Sequence, residues 1–334
     1  MSRTPLLEVS GLTIAFPKGT PVADFAFDIG AGETVAVVGE SGSGKSLTAL
    51  AVMRLLPRSA RIAAGGIRFQ GRDLLALPEP EMRKVRGREI AMIFQEPMTS
   101  LNPVLTVGKQ IAEVLRLHEG LSAEAARRRA IDLLDLVRVA DPHRRVDDFP
   151  HRLSGGMRQR VMIAMSVACT PKLLIADEPT TALDVTIQSQ VLDLLERLRR
   201  DLGMALMLIT HDLGIVGQWA DRVVVMYAGR GAEEADAPDL LNDPLHPYTR
   251  GLLAASPRLD ASLHYTSGSL REIPGSISSA IGEPGCPFVP RCPLAQPSCR
   301  TSPPPLVPVK LGRLLACPPV AATLEPADAA AVGR

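Results

Sequence analysis

The stretch GESGSGKS at residues 39–46 contains the residue types that bind a nucleoside triphosphate. It fits the pattern G-x-x-x-x-G-K-[ST] and lies between the apolar run TVAVV and the helical pattern LTALAVMRLL. Glycines allow backbone N–H groups to surround a phosphate, and the helix N-terminus directs its dipole at that phosphate. Lys45 is predicted to contact the β- and γ-phosphates, and the Ser46 hydroxyl to bind Mg²⁺. The other residues predicted to line this site are Gly39, Glu40, Ser41, Gly42, Ser43 and Gly44.

An acidic pair follows a second apolar run in LLIADEP at residues 173–179. Asp177 ends the run, where a carboxylate can serve Mg²⁺ as a ligand. Glu178 faces the other side of the strand end and can polarise an attacking water. Such an acidic pair is common at strand ends, so by itself it is weak evidence for a nucleotide site. Together with the loop at 39–46 it is strong evidence.

The elements that position these residues are strands alternating with helices over the first two thirds of the chain. Compact apolar runs bounded by polar residues or glycine are typical of strands buried on both faces of a mostly parallel sheet. One helical pattern begins at a Ser122 cap and another ends at Gly203, a residue suited to a left-handed C-cap. The sequence therefore predicts an α/β fold, with strands at 34–38, 89–94, 172–177, 204–210 and 222–227.

Composition excludes several classes of protein. The 334 residues are 46% hydrophobic, which is enough for a substantial core, and the net charge of +1 argues against a bulk nucleic-acid binder. The N-terminus lacks the apolar segment of a signal peptide, and no apolar run reaches the roughly 18–20 residues that span a bilayer. We therefore expect a chain that does not cross a membrane by itself and that occupies a reducing compartment.

Four of the five cysteines fall in a proline-rich region with the spacing C-x5-C-x6-C-x17-C: Cys286, Cys292, Cys299 and Cys317. Disulfides are disfavoured in a reducing compartment. Structural zinc sites usually use tight C-x2–4-C pairs, which this region lacks. A [4Fe–4S] cluster needs four thiolates and tolerates wider spacing. Four unliganded cysteines are the remaining alternative.

The motif LSGGM at 153–157, just before RQRVMIAMSVACTPKLLIADEP, resembles the signature motif of the ATP-binding subunits of ABC transporters. The resemblance extends from residue 6 to about residue 320, with Met157 where Gln is commoner. The Ser154 hydroxyl and the N–H groups of Gly155 and Gly156 would form a second anion cradle at a helix start. In this family the cradle closes on ATP held by the opposite subunit, so the resemblance implies that hydrolysis needs a dimer.

The resemblance implies roles for three more residues. Gln95 in FQEP resembles the Q-loop glutamine, which touches Mg²⁺ and water, and Asp184 in TALD resembles the D-loop aspartate, which reaches across the dimer. His211 in LITHDL resembles the switch histidine that contacts the γ-phosphate. The implied reaction is ATP hydrolysis, in which Glu178 acts as the base or orients water while Lys45 and Mg²⁺ neutralise phosphate charge.

The same resemblance implies an adenine-stacking aromatic and a division of the chain. Phe16 in LTIAFP is the expected aromatic, and its competitors Phe25 and Phe27 look like strand core. The expected divisions are an ABC ATPase domain at 1–235 with a helical subdomain at about 96–160, a C-terminal region at 236–320, and a disordered Ala/Pro-rich tail at 321–334.

Three longer stretches look specifically like the dipeptide/oligopeptide importer branch, which also includes nickel importers: FQEPMTSLNPVLTVGKQIAEVL (94–115), ADEPTTALDVTIQSQVLDLL (176–195) and HPYTRGLLAASP (246–257). That branch carries a similar cysteine pattern which ligates an iron–sulfur cluster. The resemblance therefore implies a [4Fe–4S] cluster on the four cysteines, with zinc as the alternative.

The branch also implies partners and a location. These are two membrane-spanning permease subunits, an extracytoplasmic solute-binding protein, and a second related ATPase or a second copy of this chain, at the cytoplasmic face of the membrane. Nucleic acid is not an expected partner.

The alternative functions are those of a nickel or other small-solute importer, a soluble ABC ATPase of translation or DNA repair, and an exporter ATPase. Soluble members typically fuse two cassettes or insert a long coiled coil, and neither feature is found here. Exporters more often carry a fused membrane domain.

Overall fold

The structure, a computed structural model, describes residues 5–95, 100–181, 184–255, 272–280 and 283–324. The strands are β1 Leu7–Phe16, β2 Gly19–Ile29, β3 Thr34–Val38, β4 Arg61–Phe69, β5 Arg72–Asp73, β6 Ile90–Ile93, β7 Leu173–Asp177, β8 Ala205–Thr210, β9 Arg222–Tyr227, β10 Arg230–Asp236, β11 Val307–Pro308 and β12 Leu314–Leu315. The α-helices are α1 Lys45–Val52, α2 Glu79–Val85, α3 Val107–Glu119, α4 Ala123–Leu136, α5 Pro142–Arg145, α6 Gly155–Val167, α7 Val185–Leu202, α8 Leu213–Trp219, α9 Ala237–Asn242, α10 Pro247–Ala255 and α11 Pro318–Ala321.

The five predicted strands are confirmed to within one residue at either end. The predicted helix caps are also found. The Ser122 hydroxyl accepts a hydrogen bond from the N–H of Ala125 at the start of α4, and Gly203 ends α7 at φ 65°. Both caps satisfy backbone groups that the helix itself leaves without partners, which is why these residue types mark helix ends.

The chain divides into two compact units. The first unit comprises residues 1–30, 34–75 and 210–334, and the second comprises 31–33 and 76–209. The loop at 39–46 and the C-terminal region expected at 236–320 thus belong to the same unit. The expected helical subdomain falls in the second unit, although residues 96–99 lie outside the described residues, as do 325–334 of the expected tail.

The first unit contains an antiparallel sheet of order β2-β1-β4-β5. It also contains the strand series β11-β12-β10-β9-β3, in which β3 and β9 run parallel with Val35 opposite Arg222 and Val38 opposite Val225. The other pairs in that series are antiparallel. All five residues of β3 are buried, as the apolar run predicts, so the loop that follows this strand starts from a rigid support.

The second unit contains the parallel series β8-β7-β6. Every residue of β7 is buried, and Ile90 pairs with Leu173 and Leu173 with Ala205. The predicted parallel pairing of the central strands is thereby confirmed within each unit. Because parallel strands end at the same edge, residues that follow β6 and β7 come close together in this unit.

Among the described residues, none of the helices has both the length and the apolar character required to cross a bilayer.

Candidate functional site

The loop at 39–46 connects β3 to α1 in the first unit, as the sequence predicts. Gly44 is the N-cap of α1 at φ 106°, a conformation that residues with a Cβ rarely adopt. A Cβ on Gly39 would lie 2.1 Å from the carbonyl oxygen of Met226 on β9, so only glycine fits there. Close packing against β9 therefore explains the first glycine of the motif, and backbone conformation explains the last.

Lys45 is buried, with 4% of its surface exposed, and its ammonium lies against the loop. It donates hydrogen bonds to the carbonyl oxygens of Gly39 at 2.7 Å and Glu40 at 3.0 Å. The N–H of Ser43 donates to the same Glu40 carbonyl at 3.1 Å. The positive charge is thus held at the concave side of a glycine-rich turn that begins a helix, an arrangement suited to a phosphate group.

The acidic pair is positioned in the second unit by β7. Asp177 is the last residue of that strand and is 4% exposed. Glu178 follows at φ 45°, in the left-handed region that costs a non-glycine residue roughly 1–2 kcal/mol, and its N–H donates to the carbonyl of Ile209 at 3.0 Å. Such strain is typical of functional positions, where surrounding contacts maintain an unfavourable conformation.

Gln95 and Glu178, separated by 83 positions in the sequence, are brought together by the parallel pairing of β6 and β7. The Gln95 side-chain amide donates to Glu178 Oε2 at 3.1 Å. The Thr181 hydroxyl donates to the same oxygen at 3.0 Å. The predicted base and the Q-loop residue are therefore hydrogen-bonded, and Thr181 is a third member of the group that the sequence did not indicate.

The signature segment begins α6 as predicted. Ser154 is the N-cap, and its hydroxyl accepts the N–H of Met157 at 3.3 Å. A Cβ on Gly156 would meet Ile187 of α7 at 3.3 Å, whereas a Cβ on Gly155 would meet nothing within 4 Å. Packing inside the chain does not explain why glycine stands at 155. A surface on which another molecule approaches the backbone would explain it.

Two more of the predicted residues lie at element boundaries. Asp184 is the N-cap of α7, where its carboxylate accepts the N–H of Ile187 at 3.0 Å. Within one chain this residue therefore has a capping role, and its role across a dimer stays a prediction. His211 is exposed and directly follows β8.

Phe16 ends β1 and is half-buried, opposite Gly19 across the hairpin. Phe25 and Phe27 are buried in β2, and their rings are 5.4 Å apart. The competitors are thus strand core, as their sequence pattern indicates, and Phe16 is the aromatic of the three that keeps an accessible surface.

The four cysteines of the C-terminal region line one cavity of about 150 Å³ in the first unit: Cys286, Cys292, Cys299 and Cys317. The N–H of Cys286 donates to the carbonyl of Cys299 at 2.7 Å, which connects two parts of the loop. Among the described residues, no group of three or more His, Cys, Asp or Glu side chains is arranged so that it could hold a metal ion.

Burial raises the pKa of three of these thiols: that of Cys286 to about 11, and those of Cys292 and Cys317 in the same direction. In each case a backbone N–H hydrogen-bonds the cysteine and partly offsets that rise in pKa. The donors are Phe288 for Cys286, Leu294 for Cys292 and Val320 for Cys317. Such N–H groups stabilise negative charge on sulfur.

His246 also borders the cavity, but it is engaged elsewhere. It accepts the N–H of Tyr248 on Nδ1 at 3.0 Å and is hydrogen-bonded to the backbone of Ala316. Burial lowers its pKa to about 4, so it is neutral at physiological pH. This histidine serves as a structural link between the start of α10 and the segment before Cys317.

Two contacts of the phosphate loop were not foreseen from the sequence. The N–H of Glu40 donates to the Tyr248 hydroxyl at 2.8 Å, and the Glu40 carboxylate forms a bidentate ion pair with Arg291 at 2.6 and 2.9 Å. Tyr248 belongs to the HPYT motif and Arg291 lies between two of the cysteines. Their proximity to the loop follows from tertiary packing, and no local pattern could have indicated it.

Sequence comparison places these features in a family. The family described as ABC transporter matches residues 22–181, and the one described as oligopeptide/dipeptide transporter, C-terminal region, matches residues 232–299. The oligopeptide transport ATP-binding protein AppD of Bacillus subtilis is 50% identical over 93% of this chain and 96% of its own length. The oligopeptide transport ATP-binding protein OppD of Salmonella typhimurium is 50% identical over 93% of both chains.

Solved structures agree. The dimeric post-hydrolysis state of the ATP-binding cassette MJ0796, bound to ADP and phosphate, superposes with a TM-score of 0.62 at 27% identity, over 69% of this chain and 98% of that one. CbiO1 of Clostridium perfringens, part of the ABC transporter complex CbiONQ, gives 0.63 at 26% identity, over 72% and 91%. The chain belongs to the ATP-hydrolysing subunits of ABC transporters, in the branch that carries the oligopeptide/dipeptide transporter C-terminal region.

Proposed function

We propose that this chain is the ATPase that powers import of dipeptides or oligopeptides through an ABC transporter. The observation that carries the proposal is the 50% identity, over nearly the whole chain, to two relatives described as oligopeptide transport ATP-binding proteins. The match of the C-terminal region to the oligopeptide/dipeptide transporter pattern supports the same solute class.

In the proposed reaction the chain's residues act mainly by position and charge. Lys45 binds the phosphates from the loop, and Glu178 orients or deprotonates the attacking water while Gln95 and Thr181 hold its carboxylate. Ser46, Gln95 and Asp177 are the proposed Mg²⁺ ligands, because this ion prefers oxygen ligands such as those of hydroxyl, side-chain amide and carboxylate groups. When bound there, the ion would neutralise charge on the phosphates.

The remaining predicted residues contribute from the periphery of the reaction. Phe16 is proposed to stack on the adenine and His211 to contact the γ-phosphate. The open Gly155 supports the proposal that the signature segment of one subunit binds ATP held by another. Asp184 is proposed to meet the opposite subunit in the same dimer.

The proposed partners are two membrane-spanning permease subunits, a solute-binding protein, and a second ATPase subunit, either a related chain or a copy of this one. Exposed apolar side chains in the second unit support a docking role. Phe94, which precedes Gln95, is 42% exposed, and Val104 is 75% exposed. Large apolar groups exposed near a functional residue often mark a protein contact. The chain would then lie at the cytoplasmic face of the membrane.

Transport by the reconstituted complex tests this proposal. The chain is assembled with its permease and binding-protein partners in liposomes that enclose ATP, and uptake of a labelled tripeptide is compared with uptake of nickel. We expect ATP-dependent peptide uptake that is lost with Glu178→Gln. Nickel uptake without peptide uptake would contradict the peptide assignment, and association of the chain with ribosomes or DNA would contradict the transport assignment.

We further propose that the four cysteines of the C-terminal region ligate a [4Fe–4S] cluster. Such a cluster takes four thiolates at its corners, so its ligands surround a volume, whereas zinc needs four ligands converging on one ion. The four cysteines are among the residues that line one cavity of about 150 Å³, and three of them receive backbone N–H hydrogen bonds of the kind that tune cluster potentials. The proposed role is structural, because the region contains many prolines and little regular structure.

Iron and acid-labile sulfide are measured on protein purified without oxygen, together with the visible absorbance. We expect about four of each per chain. Cys317→Ser should lower both, whereas Cys169→Ser should change neither, because Cys169 lies on the second unit and outside the cavity. A colourless protein containing one zinc would contradict the proposal.

A further inference from the structure

The guanidinium of Arg291 is buried in the first unit, where it makes several hydrogen bonds and lies close to two aromatic rings. Its side chain is 3% exposed, and its Nε donates to the carbonyl of Pro274 at 2.8 Å. The two terminal nitrogens donate to the Glu40 carboxylate at 2.6 and 2.9 Å. The guanidinium also lies 5.8 Å from the centre of the Tyr227 ring and 6.0 Å from that of Phe288. The hydrogen bond to Glu40 raises the pKa of Arg291, so the guanidinium stays charged.

Glu40 is consequently fixed at three points. Arg291 holds its carboxylate, the Tyr248 hydroxyl accepts its N–H at 2.8 Å, and its carbonyl accepts from the Lys45 ammonium at 3.0 Å. The third contact is the important one. The carbonyl that positions the phosphate-binding lysine belongs to a residue whose other groups are held by the C-terminal region.

Arg291 is itself placed by the cysteine region. It is the last residue of the short 3-10 turn Val289–Arg291 and directly precedes Cys292. Its N–H donates to the carbonyl of Phe288 at 3.0 Å, and that of Val289 donates to the carbonyl of Cys286 at 3.0 Å. Any change that unfolds this turn therefore withdraws the guanidinium from Glu40.

We propose that Arg291 is a positioning residue for nucleotide binding, which acts through Glu40 to hold the phosphate loop and so couples ATP affinity to the folded state of the cysteine region. The inference rests on the proposed role of the 39–46 loop in binding ATP. Arg291 touches no reacting atom in this scheme. Its effect is on the geometry of the loop, so it should alter affinity for nucleotide more than turnover at saturation.

The test compares four single variants, and the double variant of Arg291→Gln with Glu40→Gln, with the wild-type chain. Arg291→Gln removes the charge, Arg291→Lys keeps the charge but loses the bidentate geometry, and Glu40→Gln removes the partner. Tyr248→Phe removes only the hydroxyl that receives the Glu40 N–H. Binding of the Mg²⁺ complex of adenylyl-imidodiphosphate is measured by calorimetry, and KM and kcat are measured with ATP.

We expect Arg291→Gln to weaken nucleotide binding about tenfold, equal to about 1.4 kcal/mol. KM should rise similarly, while kcat at saturating ATP stays within about twofold. Arg291→Lys should recover part of the affinity. The double variant with Glu40→Gln should be no weaker than Arg291→Gln alone, because both substitutions break the same pair. Tyr248→Phe should weaken binding without removing the ion pair, which keeps the test usable if the arginine variants fold poorly.

Arg222→Gln is the matched control. Arg222 is 15% exposed in its side chain and pairs with Glu234 and Asp28, but it lies at the start of β9, opposite Val35, whereas the phosphate loop follows the other end of β3. It should lower thermal stability and leave nucleotide affinity unchanged. An Arg291→Gln affinity within twofold of wild type, or an equal loss of affinity in Arg222→Gln, would overturn the inference and leave the ATPase assignment intact. A wild-type chain that fails to bind the nucleotide would overturn both.

Discussion

Replacement of Gly155 by alanine is expected to change the stability of the fold and the ATPase activity in opposite directions. Gly155 is the first residue of α6, is exposed, and offers an added Cβ open space within its own chain. Alanine favours a helix over glycine by up to about 1 kcal/mol. The Gly155→Ala chain should therefore be as stable as the wild type or slightly more so, with a thermal midpoint unchanged or raised by about 1–3 °C.

Activity should change in the opposite direction. If the N–H groups at 155 and 156 contact ATP on the opposite subunit, a methyl group at 155 occupies the approach to them. Loss of one donor of this kind typically reduces turnover by a factor on the order of 10² to 10³. We therefore expect phosphate release at saturating ATP to fall at least about 100-fold, equal to about 2.7 kcal/mol in activation free energy. Nucleotide binding to the isolated chain should not change.

Gly120→Ala is the matched control. Gly120 ends α3 in the same unit and also has open space around its Cβ position, but its φ is 67°. Alanine there is strained, so the control should lose about 1 kcal/mol of stability and retain its ATPase activity. Turnover of Gly155→Ala within twofold of wild type, measured by phosphate release, would refute the proposed contact between the signature segment and a second subunit.

Three further outcomes are expected. Glu178→Gln keeps the shape of the side chain and removes its charge, so steady-state hydrolysis should fall at least about 100-fold and gel filtration should show an ATP-stabilised dimer; unchanged hydrolysis would exclude Glu178 as the base. Arg313→Ala breaks the ion pair with the fully buried Glu233 and should cost about 3–5 kcal/mol in urea unfolding, with a loss below 1 kcal/mol contradicting this reasoning. Burial lowers the pKa of His246 to about 4 from an unfolded value of 6.5, so the unfolded chain binds the proton more readily and stability falls as the pH drops from 6.5 towards 4. Between pH 7 and pH 5 this group should cost about 2 kcal/mol, and His246→Asn, which can still accept the Tyr248 N–H, should show a correspondingly weaker dependence on pH.

Local patterns were sufficient for the parts of the site that lie next to each other in the chain. The order of strand, glycine-rich loop and helix placed Lys45 correctly, because each of these elements has a sequence signature of its own. The caps at Ser122 and Gly203 were predictable for the same reason. In the cysteine region the spacing indicated a common site, and the structure confirms only that the four thiols line one cavity.

Contacts between distant segments were not predictable in this way. The carboxylate of Glu178 meets Gln95 because β6 and β7 are parallel neighbours, and their pairing register decides which side chains emerge together. Thr181 joins them because the chain turns back after a residue with positive φ. Neither the register of strand pairing nor such a turn can be predicted from the periodicity of hydrophobic residues alone.

The sequence by itself determined which residues are candidates for chemistry, because the phosphate loop, the acidic pair and the cysteines can be recognised from residue type and spacing. Only the tertiary structure decided which distant parts of the chain are in contact. Arg291 and Glu40 are 251 positions apart and meet because the C-terminal region packs in the same unit as the loop. The ion pair is strong because the guanidinium of Arg291 is buried, and a buried charge without a partner is energetically costly.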